Sequence, residues 1–221
     1  MTEVVALLGH PVAHSLSPRM QNAAFAARGL DWTYVALDVE PQRLEAAVRG
    51  LDALGFAGAN VTAPHKQQAA RIVGSELPSV NTILAGGDAA STDAAILELV
   101  TNRHKPVILG EGGAAAAFRQ ALPEATVFSR KAAWPPDVAD ADVVINATPV
   151  RDEVLVELGA GQTLIDLPYP RTATAEAAAA NGATVHDGLD VLVAQGAASF
   201  ELWTGVPAPV EVMRRAVGLD T

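Results

Sequence analysis

The sequence predicts an α/β fold: mostly parallel sheet in two consecutive units, with a late return of the chain to the first. Three observations predict it. Strand-like and helix-like runs alternate from the first residues, with prolines and glycines at their ends. In the second half an apolar run leads through a glycine-rich turn into a helical run, the pattern that opens a nucleotide-binding βαβ unit. The composition supplies the cores: 221 residues, 50% hydrophobic and 18% charged, with mean hydropathy +0.22, suit a globular chain large enough for two modest domains.

The elements follow in order. VVALLG (4–9) reads as a strand. PRMQNAAFAARG (18–29) reads as a helix capped by Ser17, started by Pro18 and closed by Gly29. WTYVALDV (32–39) is a strand, PQRLEAAVRGLDALG (41–55) a helix with proline at its start and glycine at its end, and FAGANVT (56–62) a strand. Pro64 opens the next helix. The turn-rich LAGGDAAST (84–92) breaks the rhythm, and DAAILELVTNRH (93–104) predicts a helix leading into the second unit. KPVILGEGGAAAAFRQALPEATVFSRK (105–131) is strand, glycine turn, helix, strand. DVVIN (142–146) and QTLID (162–166) are further strands, and the Ala-rich run at 175–180 is a helix. GLDVLVAQGAASFELWTGVP (188–207) contains a helix and the return. The boundary is expected near residue 90 and the return near 190.

Bulk chemistry excludes several functions. A net charge of −10 argues against a nucleic-acid surface. With no cysteine there are no disulfides, thiolate nucleophiles or cysteine-held metals, and the five histidines lack metal-ligand spacing. The first residues lack the basic region and long apolar stretch of a signal peptide, and no window reaches the roughly 18 apolar residues of a membrane helix. The expectation is a cytoplasmic protein without metal, membrane or nucleic-acid partner. An acidic chain that handles small anions must concentrate its few cations at the site.

One such cation is Lys66 in NVTAPHK (60–66). In the opening turn of a helix it faces the unfavourable end of the helix dipole, so local propensity does not call for it. A chemical role does: lysine supplies a proton and a positive charge to a developing alkoxide. GEGGAA (110–115) offers glycines for close approach to a pyrophosphate, with a plain tight βα turn as the competing reading. Ser129, Arg130 and Lys131 follow about twenty residues past Gly110, where NAD binders carry an acid and NADP binders a cation, so a hydroxyl and two cations point to NADP, with an exposed basic turn as the competing reading. Ser15 and Ser17 in AHSLSP stand at the mouth of a helix, where a carboxylate is well received. His14 and His65 read as structural. Asn81 and Asp93 each have an ordinary local reading, as a turn residue and an N-terminal helix acid. NAT (146–148) ends a strand, where α/β proteins bind ligands.

The set SLSP, NVTAPHK, VNT, TD, GEGGAA, NATP and QGAASFELWTG, in this order from residue 4 to 205, resembles the shikimate dehydrogenase family. The resemblance implies NADP-dependent oxidation of shikimate to 3-dehydroshikimate, NAD being the lesser alternative. It also implies an N-terminal α/β substrate domain (1–92), a shortened Rossmann-like dinucleotide domain (93–187) and a C-terminal helical return (188–221), with a cleft between the domains. Lys66 and Asp93 are then the catalytic pair. Ser15 and Ser17 match the carboxylate binders, Asn60, Thr62, Asn81 and Gln195 the ring-hydroxyl ligands, and Tyr169 a tyrosine near the carboxylate. Gly110, Gly112, Gly113 and Ala114 would meet the pyrophosphate and Ser129, Arg130 and Lys131 the 2′-phosphate. Thr148 and Gly188 would border the nucleotide and nicotinamide. The partners implied are small molecules alone, in a monomer or homodimer.

Departures from the family pattern fall mainly on the cofactor half. SRK replaces NRT, NATPVRD replaces NATSxGM with Arg151 at a glycine position, Val191 replaces a methionine, and Glu111 enters the phosphate loop. STDA replaces NTDG, and the intervals 66–81 and 130–146 are compressed, the latter leaving room for little beyond a loop. Two alternatives stay open: a homologue that binds a shikimate-like ligand without hydride transfer, and a dehydrogenase of quinate or an aminated analogue.

Overall fold

The computed structural model describes residues 1–131 and 134–219. The chain divides into two compact units, Met1–Thr92 with Val193–Thr221, and Asp93–Leu192. In the first, β1 (Glu3–Gly9), β2 (Trp32–Asp38), β3 (Phe56–Val61), β4 (Thr82–Leu84) and β5 (Ala89–Ala90) form one sheet in the order β2-β1-β3-β4-β5. The first three strands are parallel, and the β4–β5 hairpin runs antiparallel to β3. That hairpin lies inside the stretch read only as turn, because strands of three and two residues are too short to show alternation.

Helices α1 (Ser17–Ala27), α2 (Leu44–Ala53) and α3 (Lys66–Ile72) connect these strands. Val5, Ala6, Leu7 and Leu8 of β1 are all at most 3% exposed, so the central strand is covered on both faces. Ala6 and Leu8 join Leu44, Leu51, Val61, Ala69 and Val80 in one core. Phe25 of α1 packs elsewhere, on Phe200 at 5.3 Å and Trp32 at 5.4 Å between ring centroids. Burying each such side chain contributes about 1.5–3 kcal/mol.

Three helix starts differ from the sequence expectation. Ser17 is the first helical residue, not a cap: its own N–H donates to Ser15 Oγ at 3.2 Å. The helix predicted from Pro41 opens as a 3-10 turn, Pro41–Arg43, before α2. Pro64 precedes α3 by two residues, because the His65 N–H closes a turn onto Thr62 O at 2.9 Å.

The second unit contains β6 (Pro106–Leu109), α4 (Gly113–Ala121), β7 (Thr126–Phe128), β8 (Val143–Asn146), β9 (Thr163–Asp166), α5 (Ala173–Ala180) and β10 (Thr184–His186). Its sheet is wholly parallel, in the order β10-β9-β8-β6-β7. Val107, Leu109, Val144, Leu164, Ala175 and Ala178 share its core. Residues 134–142 hold neither helix nor strand. The helix predicted at 93–104 is only a 3-10 segment, Ala95–Leu99. Val100 turns extended (φ −105°, ψ 113°), and the His104 and Lys105 N–H groups donate to the Asp142 carboxylate at 2.9 and 3.0 Å rather than up a helix. Two long-range additions complete the chain: α6 (Gly188–Thr204), and α7 (Val210–Val217), which packs on α1 and was not predicted.

The strand orders position the sites. β1 lies between β2 and β3, and β6 lies between β7 and β8. In each unit the chain leaves the central strand to one side and then crosses to the other, which opens a crevice at the carboxyl ends of the strands. SLSP follows β1 and NVTAPHK spans the end of β3. GEGGAA follows β6, SRK follows β7, NATP spans the end of β8, and DLPYP that of β9. Among the described residues no helix is long and apolar enough to cross a membrane.

Candidate active site

In the first unit the loops beyond β1, β2 and β3 are tied together. Thr62 N–H donates to Leu8 O (2.9 Å), His10 N–H to Ala63 O (3.2 Å) and Val39 N–H to Gly9 O (2.9 Å). Ser15, Ser17, Thr62 and Lys66 therefore emerge at one end of the sheet. Ser15 and Thr62 are half-buried, and Ser17 is buried. Lys66 is half-buried and is the first residue of α3. Its backbone is fixed twice: the Val80 N–H donates to Lys66 O at 3.1 Å, and the adjoining His65 is wholly buried with Nε2–H donating to Val39 O at 2.7 Å. A carbonyl can only accept, so this bond assigns the proton to Nε2. His65 is thus the anchor that holds Lys66 at the end of the sheet. His14 is exposed.

Behind these residues lies a buried polar network that motif reading only partly found. Asn60 Oδ1 accepts from Tyr34 OH at 2.8 Å, and its Nδ2 donates to Asn81 O, Thr82 Oγ1 and Ser199 Oγ at 2.9, 3.1 and 3.0 Å. The Asn60 amide is thus committed to the fold, where it fixes its neighbours. Asn81 is next: Oδ1 accepts from the Thr92 N–H at 2.7 Å, and Nδ2 donates to Thr92 Oγ1 at 2.9 Å and to Gln195 Oε1 at 3.2 Å. Ser199 OH bonds Gln195 O at 2.9 Å, one turn along α6. The structure therefore brings Asn60, Asn81 and Gln195 together. Tyr34, Thr82, Thr92 and Ser199 were missed. Only the four-residue spacing of Gln195 and Ser199 on one helix face signalled any of them in advance.

Asp93 and Tyr169 belong to the second unit. Asp93, directly after Thr92, is 6% exposed. Tyr169 is half-buried, and its carbonyl accepts from Arg151 Nη1 at 3.3 Å.

The nucleotide residues gather at the second crevice. Gly110 has φ 114°, and a Cβ there would approach Ala147 O to 2.9 Å, so the β6 turn requires glycine. Gly112 holds the cap position of α4 with open space around it and no side chain to cover the first turn, which Gly113 and Ala114 begin. Glu111 does not face this turn alone: its carboxylate pairs with Lys131 Nζ at 3.1 Å. Ser129 is buried, and its hydroxyl has no hydrogen-bond partner among the described residues. Arg130 pairs with Glu153 and lies 5.6 Å from the centroid of the Trp134 ring. Thr148 is fixed through Asn146, whose Oδ1 accepts from the Thr148 hydroxyl at 2.7 Å and its N–H at 3.1 Å. Asn146 Nδ2 in turn donates to the buried Asp166 at 2.7 Å, and Thr172 OH donates to the same carboxylate at 2.8 Å. Burial holds the Asp166 carboxyl above its ordinary range; the Thr172 and Asn146 bonds pull it back, and Asp187 adds to the rise. Gly188 starts α6 against the Pro168 carbonyl, leaving no room for a side chain.

These features fit a dinucleotide. The crevice has a close-approach glycine, a bare helix start and the Arg130 and Lys131 cations. The first crevice offers paired serines, a lysine and a hydrogen-bonded amide cluster, a donor set for a small polyhydroxylated acid.

Comparison with known proteins agrees with this chemistry. Residues 7–83 match the family described as shikimate dehydrogenase substrate binding domain, and residues 188–217 match shikimate 5′-dehydrogenase C-terminal domain. The chain is 40% identical over 266 aligned positions to shikimate dehydrogenase (NADP⁺) of Anaeromyxobacter dehalogenans, covering 98% of this chain and 96% of that protein. It is 37% identical to the corresponding protein of Methanopyrus kandleri, covering 98% and 95%. Among solved structures, a shikimate dehydrogenase in complex with NADP⁺ superposes with TM-score 0.84 at 32% identity, over 98% of this chain and 94% of that one. The Thermus thermophilus enzyme in complex with NADP(H) and shikimate does so with TM-score 0.84 at 29% identity, covering 97% and 98%.

Proposed function

The chain belongs to the shikimate dehydrogenase family, and from that premise we propose that it catalyses the reversible NADP-dependent oxidation of shikimate to 3-dehydroshikimate, with Lys66 and Asp93 handling the proton. NADP⁺ held by the second crevice would supply the hydride acceptor for the carbinol carbon. Lys66 takes the hydroxyl proton during oxidation and returns it during reduction, and its charge stabilises the alkoxide between the two states. Asp93 orients the lysine and the reacting hydroxyl. Ser15 and Ser17 bind the substrate carboxylate, with Tyr169 beside it. Thr62, Asn81 and Gln195 bind ring hydroxyls, while Asn60 holds Asn81 and Thr82 in place. Polar groups tailored to several hydroxyls reject analogues that leave them unpaired.

On the nucleotide side Gly110, Gly112, Gly113 and Ala114 approach the pyrophosphate. Ser129, Arg130 and Lys131 receive the adenosine ribose and its 2′-phosphate, and Thr148 and Gly188 border the nucleotide and nicotinamide.

The observation that carries this reading is the fixing of Lys66 at the carboxyl end of β3, with the buried His65 bond to Val39 O behind it. The test is Lys66→Ala. Turnover falls roughly 10²–10⁴-fold, while calorimetry still detects shikimate. Near-normal turnover in that variant would remove Lys66 from proton transfer.

A further inference from the structure

Building on the NADP reading above, we propose that Glu153 is a specificity-determining residue: a carboxylate that occupies the Arg130 guanidinium and competes with the 2′-phosphate. Both cations after β7 already carry an internal carboxylate, Arg130 with Glu153 and Lys131 with Glu111 at 3.1 Å. These two ion pairs add no net charge to the subsite. A 2′-phosphate brings between one and two negative charges near neutral pH. It gains Arg130 only by displacing Glu153. The bare ribose hydroxyl of NAD carries no charge and needs no such displacement. The wild-type preference for NADP is therefore narrower than Arg130 and Lys131 alone would give.

The position of Glu153 is built rather than accidental. Its carbonyl accepts from the hydroxyl of the wholly buried Thr174 at 3.3 Å, and the same oxygen of Thr174 accepts from the Leu155 N–H at 3.0 Å. Two residues earlier, Arg151 O accepts from the Ala173 N–H at 2.8 Å. The loop after β8 is thus tied to the start of α5 on both sides of Glu153. Pro149, Val150, Arg151, Asp152 and Glu153 line a groove of about 480 Å³. The opposing Arg130 is oriented by the Trp134 ring at 5.6 Å. Glu153 is about half exposed, so once displaced its carboxylate is received by water.

The experiment measures NADP⁺ and NAD⁺ dissociation constants by calorimetry on the full-length wild type, Glu153→Gln, Arg130→Ala and the double variant. Glu153→Gln tightens NADP⁺ about two- to fivefold, the scale of an exposed ion pair, and leaves NAD⁺ unchanged. The gain vanishes in the Arg130→Ala background, as coupling through Arg130 requires. If Glu153→Gln leaves NADP⁺ unchanged or tightens both dinucleotides alike, while Arg130→Ala still weakens NADP⁺ selectively, the competition is overturned and the cofactor reading stands. If the wild type binds neither dinucleotide, or Arg130→Ala costs NADP⁺ nothing, the cofactor reading fails and the competition with it.

Discussion

Asp166 holds the Asn146 amide in the orientation that presents Oδ1 to Thr148. Burial raises its pKa above the value it has in the unfolded chain. As pH rises from the ordinary carboxylate range, the unfolded chain loses this proton first and the native state binds more protons, so this group's contribution to stability falls through that window. Asp166→Asn cannot ionise. Its stability relative to wild type, read as urea midpoints, is expected to improve from acid to neutral pH; a difference constant with pH would remove Asp166 as the source. Residues such as Lys66, Asn81 and Arg130 could be singled out as candidates because they stand inside short motifs with a chemical reason. Asp166, Ser199 and Glu153 were not, since each acquires its role from a partner at least four residues away, and mostly twenty or more.

At the scale of elements, the turn between β6 and α4 separates two kinds of glycine. Gly110 is demanded by the backbone, with φ 114° and Ala147 O in the way of any Cβ. Gly112 has open space and φ −75°, so the fold alone would accept alanine there. Gly110→Ala should therefore cost about 1–3 kcal/mol of stability and weaken NADP⁺ as well. Gly112→Ala should keep its melting temperature and lose NADP⁺ affinity alone, because only a bound pyrophosphate needs that space. Retained affinity in Gly112→Ala would move the pyrophosphate off this turn. The strands from β1 to β3 were legible within a residue because apolar runs and Pro/Gly punctuation agree. β4, β5 and β10 have three residues or fewer, too short for a periodic signal, and in the 93–104 stretch only a 3-10 segment forms, with Val100 extended after it and the His104 N–H, at the far end, given to Asp142.

At the scale of the whole molecule, one topology is used twice. Each unit places a central strand between its two successors, and each collects its chemistry at the carboxyl ends of the strands. With a net charge of −10, the chain spends few cations, yet Lys66 stands at the first crevice and Arg130, Lys131 and Arg151 follow strands of the second. An alignment of 266 positions against 221 residues leaves the relatives' extra length as gaps in this chain. The short interval 134–142, which has neither helix nor strand, is one place where the second unit is lean. That both crevices work in one reaction is tested most directly by following nicotinamide absorbance with purified, folded wild-type protein, shikimate and either NADP⁺ or NAD⁺. The expected result is reduction of NADP⁺ that requires shikimate, and slower reduction of NAD⁺. Shikimate binding without reduction of either cofactor would contradict it, leaving a ligand-binding protein in place of a dehydrogenase.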